Sequence, residues 1–94
     1  MQYLIIERFK PGKVKELYER FQEKGRMLPE GVKYIDSWVN EKVTVCYQVM
    51  ESDTEEKIRE WISGWSDLAD FEIIPVIDST SAKEKVFGSN RRQG

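Results

Sequence analysis

What most constrains this chain is the order of its hydrophobic patterns within the first 78 residues: strand, helix, strand, strand, helix, strand. Gln2 to Phe9 is a run of Tyr, Leu and Ile that closes with Glu7 and Arg8 before a Lys10-Pro11-Gly12 break, which reads as a strand and its stop. Val14, Leu17, Tyr18 and Phe21 then recur at i, i+3, i+4 and i+7, one apolar stripe on a helix whose other positions are charged. Gly25 suits the position just past that helix, and Pro29 and Gly31 punctuate the loop that follows.

Val32 to Val39 and Val43 to Met50 read as a hairpin joined by Asn40-Glu41-Lys42. If Val39 pairs with Val43, then Ile35, Val39, Val43, Val45, Tyr47 and Val49 share one face with Ser37. That face belongs against helices. The other collects Val32, Tyr34, Asp36, Trp38, Thr44, Cys46, Gln48 and Met50. Asp53 with Glu56 has the spacing of a capping box, opening a second helix with the stripe Ile58, Trp61, Ile62, Trp65 and Leu68. The last strand runs from about Asp70 to Asp78, and Pro75 within it removes a ladder donor, which places it at a sheet edge.

The expected fold is therefore α+β and ferredoxin-like. It has a four-stranded antiparallel sheet of order 4-1-3-2 and two helices on one face, each crossover right-handed. Residues 1–78 form this domain, and 79–94 read as a C-terminal tail, partly disordered or embracing a partner, in which Val86-Phe87 is a short anchor. The sheet face without helices needs a cover, and the commonest one is a second copy, which gives a dimeric α/β barrel.

Composition removes several chemistries. There is no histidine, so His-held haem has no ligand and Ser-His-Asp or Cys-His catalysis has no base. A single cysteine, Cys46, allows neither an internal disulfide nor a zinc cluster, and no metal or cofactor is expected. Residues 1–82 hold 11 Lys and Arg against 16 Asp and Glu, an acidic body that speaks against nucleic acid or an anionic membrane as partner. No apolar run or leader-like segment directs the chain to a membrane, so the expected compartment is the cytoplasm. An RNA-recognition fold would want glycine and more aromatics in Val43 to Val49, and a copper chaperone would want two cysteines near Pro11.

Six segments occur in order: Ile6-Glu7-Arg8-Phe9, Gly25-Arg26-Met27-Leu28-Pro29, Asp36-Ser37-Trp38, Met50-Glu51, Trp65-Ser66-Asp67-Leu68, and Phe71-Glu72 with Pro75-Val76. In these the chain resembles a family of small stand-alone proteins of unknown function within the dimeric α/β-barrel superfamily. The resemblance implies a ferredoxin-like homodimer and brings no catalytic residues with it.

The residues themselves offer candidates. Tyr34, Asp36, Trp38 and Gln48 on the uncovered face, with Arg26 as an anion clamp, are the expected contacts to a small organic ligand. Glu7, Asp36 and Glu72 are the candidate bases if there is cofactor-independent catalysis, of monooxygenase or isomerase type. Glu7 and Glu72 interest us as carboxylates on neighbouring strands that would raise one another's pKa, although pairing with Arg8 or Arg26 explains them more simply. Trp61 and Trp65 read as core, and Cys46 as a small buried hydrophobe. The third reading is an interaction module without ligand.

Overall fold

Tyr3, Ile5 and Glu7 are buried and Leu4 and Ile6 half-buried along the first strand, so this strand has one face against the core and another not fully open. A computed structural model describes residues 1–88. Its elements are β1 (Gln2–Phe9), α1 (Val14–Lys24), β2 (Lys33–Val39), β3 (Val45–Glu51), α2 (Glu55–Ser63), β4 (Ala69–Val76) and α3 (Ser79–Phe87). All strand pairs are antiparallel, in the order β2-β3-β1-β4. Read from the other edge this is the expected 4-1-3-2, and Pro75 does lie on edge strand β4, opposite Tyr3.

The core forms where the helix stripes meet the buried face of the sheet: Tyr3, Ile5, Leu17, Val32, Met50, Ile58, Trp61, Trp65, Leu68 and Ala69. Ile5, Met50, Ile58 and Leu68 are sealed almost completely, each worth roughly 1.5–3 kcal/mol of transfer free energy. Gly31, at φ 89°, closes the turn in which Val32 N–H donates to the Pro29 carbonyl, a backbone that a side chain would strain. The cap of α2 is Thr54 rather than Asp53: its hydroxyl accepts from Lys57 N–H at 3.4 Å, and the helix begins at Glu55.

The hairpin departs from expectation. Val39 pairs with Cys46, not Val43, because the connection runs from Asn40 to Thr44. Asn40 organises it: its Oδ1 accepts from the N–H groups of Thr44 (2.8 Å) and Val45 (2.9 Å), and its Nδ2 donates to Thr44 Oγ1 at 2.7 Å. Val43 completes the loop in the left-handed region, at φ 57°. A three-residue shift is odd, so it turns β3 over: Cys46, Gln48 and Met50 face the helices, and Val45, Tyr47 and Val49 the open side. A bulge between Tyr34 and Asp36 also brings Tyr34 to the helix side with Ser37, leaving Ile35 as the extra residue.

The segment read as a tail contains a helix. Asp78 caps α3 by accepting from Ser81 N–H at 2.7 Å, yet α3 has no buried residue, and Val86 and Phe87 are exposed. Arg91 and Arg92, a basic pair further along the same segment, lie outside the described residues. Among the described residues no helix is long and apolar enough to cross a membrane.

Candidate functional site

Helix α1 seals only Leu17 of its stripe; Tyr18 and Phe21 remain 42% and 38% exposed. Beneath them a cavity of about 190 Å³ opens between the helix layer and the sheet. The sheet supplies its floor with Glu7 and Phe9 from β1, Cys46 and Gln48 from β3, and Ser37 and Val39 from β2. Trp61 of α2 and Trp65 just after it form the far wall, α1 the near one, and Arg26 a rim. The lining is largely apolar and rich in aromatic rings, with a few convergent polar groups, as small-molecule sites are.

Glu7 is the group that sets the chemistry of this cavity. Its carboxyl is buried, and burial pushes its pKa from 4.5 up to about 7, outweighing the opposing pull of the Gln48 amide and the Arg26 charge. Gln48 Nε2 donates to Glu7 Oε1 at 2.8 Å. Opposite Glu7 in the ladder, Cys46 has its thiol pushed up to about 11, first by burial and then by the neighbouring carboxyl, which keeps it a neutral wall.

Arg26 is held by its backbone. The indole N–H groups of Trp61 and Trp65 both donate to its carbonyl oxygen, at 2.8 and 3.1 Å. Gly25 before it has φ 67° and Met27 after it φ 58°, so the chain turns sharply on either side. The Arg26 guanidinium stacks 3.6 Å from the centre of the Tyr34 ring and 5.1 Å from that of Phe21. Tyr34 in turn shares a 2.6 Å hydrogen bond with Ser37, a contact that depends on the β2 bulge. One further latch holds α1 over the cavity: Arg20 pairs with both oxygens of Asp67 (2.8 and 2.7 Å) and donates to the Gly64 carbonyl at 2.9 Å.

The expected ligand contacts are thus divided. Gln48 and Arg26 line the cavity, and Tyr34 stacks on Arg26 at its rim, all on the helix side; Asp36 and Trp38 are exposed on the open face. The expected grouping of Tyr34 and Gln48 with Asp36 and Trp38 is not formed, because the hairpin shift and the bulge place them on opposite sides. Glu7 and Glu72 do not meet either. Glu72 pairs in register with Ile6 on the open face, where it bonds to Arg8 at 3.3 Å, so burial rather than a second carboxylate raises Glu7. Tyr18, Phe21, Trp61 and Trp65 are core-stripe residues that also line a cavity, and nothing in a hydrophobic stripe distinguishes the two roles. No three His, Cys, Asp or Glu side chains gather as metal ligands among the described residues.

A crystal structure of a provisionally named antibiotic biosynthesis monooxygenase from Chloroflexus aurantiacus J-10-fl is similar over 83% of this chain and 96% of that one, with 18% sequence identity and a TM-score of 0.43. No curated protein sequence matches the chain. A domain of unknown function, DUF3303, matches residues 1–89, and the chain belongs to that family.

Proposed function

We propose that this protein binds a small protic organic molecule in the cavity between α1 and the sheet, and exchanges a proton with it through Glu7. The observation that carries this reading is a buried carboxyl on the cavity floor with its pKa near 7, where it both accepts and returns a proton at neutral pH. Size narrows the ligand. A dry cavity of about 150 Å³ holds benzene, so about 190 Å³ takes a single ring with a substituent.

The chemistry balances without a cofactor. The ionised Glu7 carboxyl takes the proton of an acidic O–H or C–H, forming a new O–H bond, and the electron pair of the broken bond stays on the ligand as a phenolate or enolate. Gln48 holds Oε1 of Glu7 in place during the exchange. A probe for this is 4-nitrophenol, a single ring whose ionised form absorbs visible light. The wild type should bind it saturably, with a change in its phenolate band that weakens above about pH 7 in the wild type and not in Glu7→Gln. An identical band change in both proteins removes Glu7 as the proton partner, and no saturable binding to either removes the cavity as the site.

The open sheet face supports a second element, a homodimer. Trp38 and Tyr47 are cross-strand partners there, 58% and 40% exposed, beside Leu4, Ile6, Val45, Val49, Ile74 and Val76. Monomers seldom leave so continuous an apolar surface in water, and two copies related by a two-fold axis would bury it against itself.

A further inference from the structure

We infer that the cavity is a co-binding site for a planar monoanion and a proton, with the ligand's oxyanion on the guanidinium of Arg26 and the proton on Glu7. This rests on the reading that the cavity is the ligand site, and deepens it by naming the ligand class.

Four arginines lie among the described residues, and three have carboxylate partners: Arg8 with Glu72, Arg20 with Asp67 and Arg59 with Glu55. Arg26 has none within ion-pair distance among the described residues. Stacking on Tyr34 occupies the flat face of its guanidinium and leaves the edge, where the N–H groups point, free for a planar acceptor. Arg26 is half-buried at the cavity rim, so an oxyanion meeting it there is less screened than at an open surface. The position is also fixed in advance. Two indoles clamp the Arg26 carbonyl, and Met27 after it holds a left-handed backbone, the kind of local strain that a surrounding structure sustains at ligand clamps.

The groups facing Glu7 define the charge the ligand meets. They are Gln48 and Cys46 on β3, Phe71 opposite it on β4, Tyr18 on α1, and Arg26 in the loop before β2. Burial, then Cys46 and Glu7, raise the Tyr18 hydroxyl above its usual range, and the Cys46 thiol titrates near 11, so both are neutral around pH 7. Only Arg26 and Glu7 change the balance. With Glu7 protonated the site is a lone cation that attracts a monoanion; with Glu7 ionised it is a neutral pair whose carboxylate repels one. A bound anion therefore carries a proton with it. The same end state follows when a neutral ligand gives its proton to Glu7, which leaves an anion opposite Arg26.

The test compares benzoate with benzamide, a neutral molecule of the same shape, by calorimetry between about pH 6 and about pH 9. Benzoate affinity for the wild type should hold below the Glu7 midpoint and fall above it by up to about tenfold per pH unit, while benzamide affinity stays flat. Glu7→Gln should keep benzoate binding and remove its pH dependence. Arg26→Gln should lose benzoate by at least about tenfold and keep benzamide, which also shows that its cavity is intact. Benzoate binding that ignores pH, or that survives Arg26→Gln, overturns the inference. Benzamide binding without benzoate overturns it while sparing the cavity as a ligand site, and failure of both probes removes that reading too.

Discussion

Gln48 reaches Glu7 diagonally across two strands: Gln48 stands opposite Ile5 in the ladder, yet its amide donates to Glu7 Oε1 at 2.8 Å. Diagonal neighbours on one sheet face lie within reach of long side chains. The bond is kept whether Glu7 is ionised or protonated, since an amide N–H donates to a carboxylate oxygen and, more weakly, to the carbonyl of the acid. It therefore holds the carboxyl in place through a proton transfer, and burial outweighs its downward pull on the pKa.

That pKa makes folding sensitive to pH in an unusual direction. Glu7 binds its proton more tightly in the folded state, near 7 against 4.5, so its contribution favours folding below about pH 4.5 and is lost as pH rises through about 7. The full swing is about 3 kcal/mol. Glu7→Gln should be more stable than the wild type at pH 8, with the difference shrinking toward pH 5. Urea unfolding at the two values tests this, and a difference that does not vary with pH refutes the buried-carboxyl assignment.

Arg20 is the tie that keeps α1 over the cavity, through both Asp67 oxygens and the Gly64 carbonyl. Because Asp67 is well exposed, Arg20→Met should cost little stability. Its larger effect should be on the site, as faster amide exchange along α1 and weaker binding of 4-nitrophenol. Unchanged exchange in α1 would show that the latch is not needed.

Val43 is a β-branched residue at φ 57°, in a loop outside the core cluster. Val43→Asn should relieve about 1 kcal/mol of strain and raise the melting temperature by about 4–8 °C. A melting temperature that stays level or drops contradicts a left-handed Val43.

Trp38 sits where two copies would meet. Trp38→Glu places a charge in that patch and should weaken self-association at least about 100-fold, read as a shift to monomer in sedimentation, with the far-ultraviolet spectrum retained. If the assembly mass is the same in both proteins, the open face is not the contact.

The element order through β4, both helix stripes and the edge position of β4 were legible because each rests on periodicity or on Pro75 alone, whereas α3 was read as a tail. Glu7 was legible as a charge within an apolar strand. The faces of the hairpin were not, because they depend on the side-chain bonds of Asn40, a left-handed Val43 and a bulge at Ile35, in a loop with no glycine to mark it. The odd shift then exchanged the surroundings of every β3 side chain, Gln48 among them, and the bulge did the same for Tyr34. The cavity itself arises from how far α1 covers the sheet, which is a matter of tertiary packing that a stripe does not encode.

Two indoles sharing the Arg26 carbonyl give the protein an optical reporter of its own. Indole emission responds to the hydrogen bond at its nitrogen, so any movement of Arg26 on meeting a ligand would change the colour of Trp61 and Trp65 together. Trp38, in contact with solvent, supplies the background, and replacing it with phenylalanine leaves only the two tryptophans that touch this loop. Occupancy would then be read from the unlabelled protein, in real time, with colourless ligands.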